Sequence, residues 1–317
     1  MGDAAFDRKV LFFGGKGGVG KTTLAASIAV MSAERGVRTL LVSTDPAHST
    51  SDVLGQPLGN EPGQVQANLW ALEIDPAQEV DRYIAQVKDR IADSVPPRLA
   101  AEVERQIDIA RVTPGADESA LFDRFTAILA ELDVTYDRII FDTAPLGHTL
   151  RLLSLPELMG TWIDGLIARR RKVNVLGRMW RSVSGGAQGS PTHDDPVLNA
   201  LQDRQRRFAE ARHVMTDADR TGFVFVVIPE HLPVSETERS VEVLDRNAIP
   251  VSAVVVNQCY GGPDVARRER ESGYVARLQQ RFDTHPIIEL PRLETEPHGL
   301  DGLRRLIATI PRDAFEG

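Results

Sequence analysis

The chain is expected to fold as an α/β protein around a doubly wound, mostly parallel sheet of seven or eight strands, with a helical subdomain inserted. Three observations carry this expectation. Apolar runs of strand length alternate with segments of helical periodicity along most of the chain, which calls for a parallel sheet with helices on both faces. The first run, Val10-Leu11-Phe12-Phe13, opens into a loop of glycines and lysines that leads straight into a helical pattern. Two later buried runs end in acids, Asp45 and Asp142, at the strand ends where open parallel sheets bind ligands.

Taken in order, the first strand covers Lys9 to Phe13, and the first helix runs from about Lys21 to Glu34 before Gly36 stops it. Arg38 to Thr44 reads as a second, fully buried strand, running into Asp45-Pro46-Ala47-His48-Ser49. Leu69 to Asp75 is a shorter, more alternating strand. Ala77 to Ala92 is an amphipathic helix, and another is expected from Pro97, after the Pro96-Pro97 break. Asp117 caps a helix through Leu132, and Asp137 to Asp142 is again a buried strand. Residues 150 to 213 are the least regular, with a Ser- and Gly-rich linker at 184–191 and a charged helix from Pro196 to His213. Strands at 222–228, 251–257 and 287–290 then alternate with helices at 235–247, 264–282 and 300–310. The whole chain, 1–317, is read as one domain into which helical segments at about 76–132 and 150–213 are inserted.

Gly15 to Thr22 satisfies GxxxxGK[ST], in the strand–loop–helix setting that gives the pattern its meaning. Glycine lets successive backbone N–H groups turn inward around an anion, and the helix N-terminus adds its positive dipole end. Gly15, Lys16, Gly17, Gly18, Val19, Gly20, Lys21, Thr22 and Thr23 are therefore the expected phosphate cradle of a P-loop nucleoside triphosphatase. Lys21 is expected to reach the β- and γ-phosphates, and Thr22 to offer its hydroxyl to Mg²⁺. Hydrolysis also needs the rest of the metal site and a positioned water, for which Asp45 and Asp142 are the candidates. Asp142, after an apolar run, has the look of an acid that holds Mg²⁺ directly or through water, which leaves Asp45 to orient or deprotonate the water.

Composition narrows the setting. The chain has 317 residues, enough for a large core, and a net charge of −8 that argues against nucleic-acid binding. Lysine occurs only at 9, 16, 21, 88 and 172, so the loop takes two of five. The single cysteine, Cys259, excludes an intramolecular disulfide or a cysteine-cluster metal site. No apolar stretch is long enough to span a membrane, and Met1 to Ala5 lacks the look of an export signal, so a cytoplasmic location is expected.

With these residues in view, the loop from Gly14 to Thr23 resembles the deviant Walker A loop of the ParA, MinD and nitrogenase iron protein class of dimeric ATPases. Within that class, Ser43-Thr44-Asp45-Pro46-Ala47-His48-Ser49 and the stretch from Asp142 to Pro156 resemble the two switch regions of the ArsA family. That family holds arsenical pump-driving ATPases and the guided-entry ATPases that deliver tail-anchored membrane proteins. Pro229-Glu230 with Glu236-Thr237-Glu238-Arg239, Val255-Val256-Asn257-Gln258 and the segment from Leu290 to Leu300 extend the likeness to about residues 8–310. The resemblance implies an ATPase that uses ATP and Mg²⁺ and works as a homodimer across the nucleotide site. It implies that Lys16 crosses the dimer interface to the partner's phosphates, as an arginine finger does. Asp45 then corresponds to the water-activating acid of switch I, and Asp142 to the acid near Mg²⁺ in switch II. Glu230, Asn257 and the loop Pro291, Arg292, Leu293, Glu294, Thr295, Glu296, Pro297, His298 correspond to nucleoside-binding positions. Asn257 suits this chemically, because a carboxamide both donates and accepts toward a base edge.

Departures from the family pattern bear on the task. As(III) is soft and calls for thiolates, and one cysteine cannot supply the separated set that metalloid-stimulated members use. Cys259-Tyr260-Gly261-Gly262 also lacks the second cysteine of the zinc staple in the targeting ATPases, and an iron–sulfur cluster is excluded. Trp162, Ile163, Leu166, Leu176, Met179, Trp180 and Val183 form a helical stripe that either lines a client groove or packs as core. Arg169 to Lys172 is a basic cluster, read as a solvated face or a contact for acidic lipid or a client tail. The expected partner is a hydrophobic membrane-protein client; a membrane pump, a positioning ATPase and a nucleotide-dependent scaffold with little turnover stay open.

Overall fold

The computed structural model describes residues 5–45, 49–92, 105, 116–143 and 196–315. The chain divides into two compact units, one of Met1–Asp75, Ile128–Leu153 and His213–Gly317, the other of Pro76–Ala127 and Ser154–Arg212. The described strands are β1 (Val10–Gly14), β2 (Thr39–Ser43), β3 (Gly63–Gln66), β4 (Leu69–Glu73), β5 (Arg138–Asp142), β6 (Thr221–Val227), β7 (Val251–Cys259) and β8 (Ile287–Pro291). The described α-helices are α1 (Lys21–Glu34), α2 (Ser49–Leu54), α3 (Pro76–Ala92), α4 (Ala116–Leu129), α5 (Pro196–Thr216), α6 (His231–Arg246), α7 (Val265–Arg281) and α8 (Gly299–Ile307).

In the first unit the strands form one sheet in the order β3-β4-β2-β5-β1-β6-β7-β8. Every neighbouring pair is parallel except β3 with β4. The doubly wound, mostly parallel sheet read from the sequence is therefore present, at eight strands. β3 was not among the segments expected to be strands. Gly63-Gln64-Val65-Gln66 is short and polar, and it pairs only because the chain turns tightly through Asn68, at φ 61°, onto β4.

The middle strands are buried throughout, which is why they read as continuous apolar runs rather than alternating ones. On one face the Phe12 ring stacks between Phe141, at 5.0 Å, and Phe223, at 6.2 Å, its partners in register on the two adjacent strands. Leu11 and Phe13 point to the other face and join a core shared with α1 and α8. α1 is buried on nearly all sides; burial of Leu24 or Ile28 contributes roughly 1.5–3 kcal/mol each.

Three helices differ from expectation. α4 covers Ala116–Leu129, so Asp117 lies inside its first turn rather than at its cap, and it stops short of Leu132. α2 follows the Asp45 segment where only a loop was foreseen, since six residues carry no helical periodicity to read. α6 begins at His231 rather than Ser235, because Pro233 falls in the first turn, where an N–H has no intrahelical partner to lose. α7 begins as foreseen, with Asp264 accepting from the Arg267 backbone N–H at 3.1 Å.

In the second unit α3, α4 and α5 pack through both rings and ions. Phe122 meets Phe208 edge-on at 4.6 Å. The Arg204 guanidinium lies 5.0 Å over Tyr83 and 5.2 Å over Phe208, and it donates to the Ser119 hydroxyl at 2.9 Å. Glu79, almost wholly buried, faces Arg82 at 3.5 Å and Arg124 at 3.7 Å. The helix expected from Pro97, the apolar stripe from Trp162 to Val183, the basic cluster at Arg169 and the 184–191 linker lie outside the described residues.

Candidate nucleotide site

The sheet order puts the carboxyl ends of β2, β5 and β1 side by side. Phe13 is in register with Asp142, and Asp142 with Ser43. The stretch past each end is pinned to its neighbour: Thr143 donates through its hydroxyl to the Phe13 carbonyl at 2.7 Å, and the Thr44 N–H donates to the Asp142 carbonyl at 2.9 Å. The loop after β1, the acid after β2 and the acid closing β5 therefore share one edge, which is where such sheets bind ligands.

The loop itself has no room for side chains at two points. A Cβ on Gly15, at φ 154°, would stand 2.2 Å from the Val226 carbonyl oxygen of β6. One on Gly20, at φ 95°, would stand 2.4 Å from the Asn257 amide nitrogen. Only glycine fits either position, and Gly20 is also the residue from which α1 starts. Lys21 is 5% exposed and its ammonium reaches the Lys16 carbonyl at 3.4 Å. A buried ammonium beside the N-terminus of a helix, whose first N–H groups have no intrahelical partner, is a charge arrangement suited to polyphosphate. Val19 is buried, whereas Gly17 and Gly18 lie at the loop's surface and Thr23 is half-buried.

Asp142 is fully buried, and its Oδ1 has no hydrogen-bond partner among the described residues. Burial pushes its carboxyl up to about 7, and the charge of Asp45 adds to the rise; the Thr22 hydroxyl, the Lys21 ammonium and Thr50 pull the other way. Thr22 Oγ1 also lies 3.2 Å from Ser49 Oγ, and Thr50 Oγ1 donates to Asp142 Oδ2 at 3.5 Å. Asp45 is half-buried at the end of β2. These are hard oxygen donors, and an orphaned carboxylate oxygen beside a threonine hydroxyl fits Mg²⁺, which takes one or two protein oxygens with phosphate and water. Ser49, named only as the end of the first switch stretch, and Thr50 were given no role from sequence, though the run of hydroxyl residues Ser49-Thr50-Ser51 was a signal in plain view.

The other positions spread outward. Asn257, nearly buried at the end of β7, donates from its amide to the Val19 carbonyl at 2.9 Å. Glu230 is exposed and immediately precedes α6. Along 291–298, Pro291, Arg292, Glu294, Thr295, Glu296 and His298 are exposed, while Leu293 and Pro297 are half-buried. Arg292 donates through its N–H to the Cys259 carbonyl at 2.9 Å, so this loop and β7 are joined. Lys16 is turned to its own α6, with its ammonium 3.5 Å from Glu236. The Cys259 thiol is pushed up to about 11 by burial, and then by the charges of Glu289 and Glu271.

Comparison with known proteins agrees with this geometry. A family model described as anion-transporting ATPase, the ArsA ATPase family, matches residues 8–312. The chain is 33% identical over 305 residues to the ATPase ASNA1 homolog 1 of Paramecium tetraurelia, covering 94% of this chain and 90% of that one. It is 34% identical over 315 residues to the ATPase GET3 of Paracoccidioides lutzii, covering 94% and 90%. A Halobacterium salinarum protein provisionally named as an arsenical pump-driving ATPase is 34% identical over 317 residues, covering 96% of this chain and 44% of that longer one. Glycine-only contacts around a buried lysine, acids at two adjoining strand ends and a family match over nearly the full length converge on one conclusion: the chain belongs to the ArsA family and is an ATPase.

Proposed function

We propose that the chain is a Mg²⁺-dependent ATP hydrolase that acts as a nucleotide-switched homodimer in the cytoplasm and binds or delivers a hydrophobic membrane-protein client. The observation that carries the reading is the cluster of Lys21 and Thr22, at the start of α1, with Asp142 and Asp45 at adjoining strand ends. The loop from Gly15 to Thr23 wraps the phosphates, and Lys21 neutralises charge on the β- and γ-oxygens. Thr22 and Asp142 would hold Mg²⁺, which supplies electrostatic stabilisation of the charge that develops in phosphoryl transfer. Asp45 orients the attacking water and takes its proton. Asn257, Glu230 and the loop from Pro291 to His298 hold the nucleoside. Lys16, 39% exposed, pairs with half-exposed Glu236 among the described residues and can exchange that partner for a phosphate of a second copy.

The client reading over the pump reading rests on the thiol count. Cys259 is alone, half-buried and held in its protonated form at neutral pH, so it offers no thiolate set to arsenite. The pump reading keeps one point in its favour, the name of the Halobacterium relative.

Asp45→Asn tests the core of this. Turnover is expected to fall about 10²–10⁴-fold with ATP affinity retained; phosphate release at the wild-type rate would remove Asp45 from catalysis. A fluorescent peptide ending in about 20 apolar residues is expected to bind the Asp45→Asn protein only with ATP and Mg²⁺. Arsenite that raises the wild-type rate, with no binding of the peptide, would favour the pump.

A further inference from the structure

Glu73 is a third acid at a strand end, 5% exposed, to which the proposed chemistry gives no task. It closes β4 in register with Ser43 of β2, the strand that lies between it and Asp142 of β5. Both of its oxygens are committed to α2: Oε1 accepts the Ser51 N–H at 2.9 Å and Oε2 accepts the Ser51 hydroxyl at 2.8 Å. The same hydroxyl accepts the Leu58 N–H at 3.1 Å, and the Ser51 carbonyl accepts the Gln56 N–H at 3.2 Å. One serine thus ties the helix and the turn leaving it to one buried carboxylate, through charge-assisted bonds that are the stronger kind.

α2 needs such a tie. At six residues it is far too short to be stable alone, so tertiary contacts must set its position. The two residues before Ser51 are those that meet the metal position, Ser49 at Thr22 and Thr50 at Asp142. We infer that Glu73 is a positioning residue: by clamping Ser51 it places the Ser49 and Thr50 hydroxyls against Thr22 and Asp142 and so sets the geometry in which Mg²⁺ is held. This rests on the reading of Thr22 and Asp142 as that position. Thr50 keeps one Asp142 oxygen engaged and leaves the orphaned one to the ion, and outer partners of this kind tune metal affinity as strongly as many direct ligands.

The test is ADP affinity by titration calorimetry, with Mg²⁺ and with EDTA, in Glu73→Gln, Ser51→Ala, Ser51→Thr and Thr22→Ala proteins. The gain in ADP affinity on adding Mg²⁺ is expected to shrink about tenfold or more in Glu73→Gln and in Ser51→Ala, with affinity in EDTA unchanged. The double variant is expected to be no worse than the poorer single, and Ser51→Thr, which keeps a hydroxyl, to recover most of the gain. Unfolding midpoints measured alongside separate the two roles: a lowered midpoint with the full Mg²⁺ gain would make the clamp merely structural and overturn the inference. If Glu73→Gln does not fold, Ser51→Ala decides alone. If Thr22→Ala also keeps the full gain, the metal-site reading itself fails; if only Thr22→Ala loses it, the clamp alone is wrong.

Discussion

The Asn257 side-chain amide donates to the Val19 carbonyl at 2.9 Å, across a Gly20 that leaves no room for a Cβ. A residue expected to read the base is therefore bonded to the loop expected to hold the phosphates. Asn257→Ala would leave a buried carbonyl without its partner, a loss of about 1–3 kcal/mol. It is expected to weaken binding of inorganic triphosphate as well as ATP, by about tenfold, in a competition assay against a fluorescent nucleotide. Weaker ATP with unchanged triphosphate would confine Asn257 to the base.

Lys16 and Glu236 form a half-exposed pair of the kind worth about 0–1 kcal/mol, so parting them costs little when a second copy closes. Lys16→Ala is expected to reduce turnover by about 10³-fold or more, with ADP affinity within about threefold of wild type. Glu236→Gln is expected to keep turnover and to lower the protein concentration giving half-maximal specific activity by at most about fivefold. Equal loss of affinity and turnover in Lys16→Ala would mean that the lysine serves its own chain alone.

Asp142 makes nucleotide-free stability depend on pH. Its folded carboxyl sits at about 7, above the ordinary value of 3.8, because burial disfavours the charged form. The folded state thus binds a proton that the unfolded chain releases. The stability this lends is present in full below the ordinary carboxylate value and is lost as pH rises toward and through 7. Thermal unfolding of the nucleotide- and Mg²⁺-free protein is expected to fall from pH 5 to 7.5, and Asp142→Asn to flatten that slope. An Asn variant with the wild-type slope would place the titration elsewhere.

Much of the site was legible in the chain because backbone geometry carries it. A loop that needs glycine at Gly15 and Gly20 announces itself in composition, and Asp45 and Asp142 follow apolar runs that only buried strands explain. Glu73 obeys the same rule, closing Leu69-Trp70-Ala71-Leu72, but the strand reads from sequence as running on to Asp75, which puts Glu73 inside it rather than at its end. β3 and α2 were missed because neither has length enough to show a period.

By itself, then, the amino-acid order determined the fold class, the glycine loop and the place of two acids after buried strands, since each depends on local conformation and on patterns of burial along a single segment. Which residues face one another was decided only by the tertiary structure. Glu73 with Ser51, Ser49 with Thr22, Asn257 with Val19 and Lys16 with Glu236 join segments 22 to 238 positions apart, as the order β4-β2-β5-β1-β6-β7 brings distant strand ends to one edge. A hydrogen bond needs a few tenths of an ångström of precision, and periodicity along the chain carries no such information.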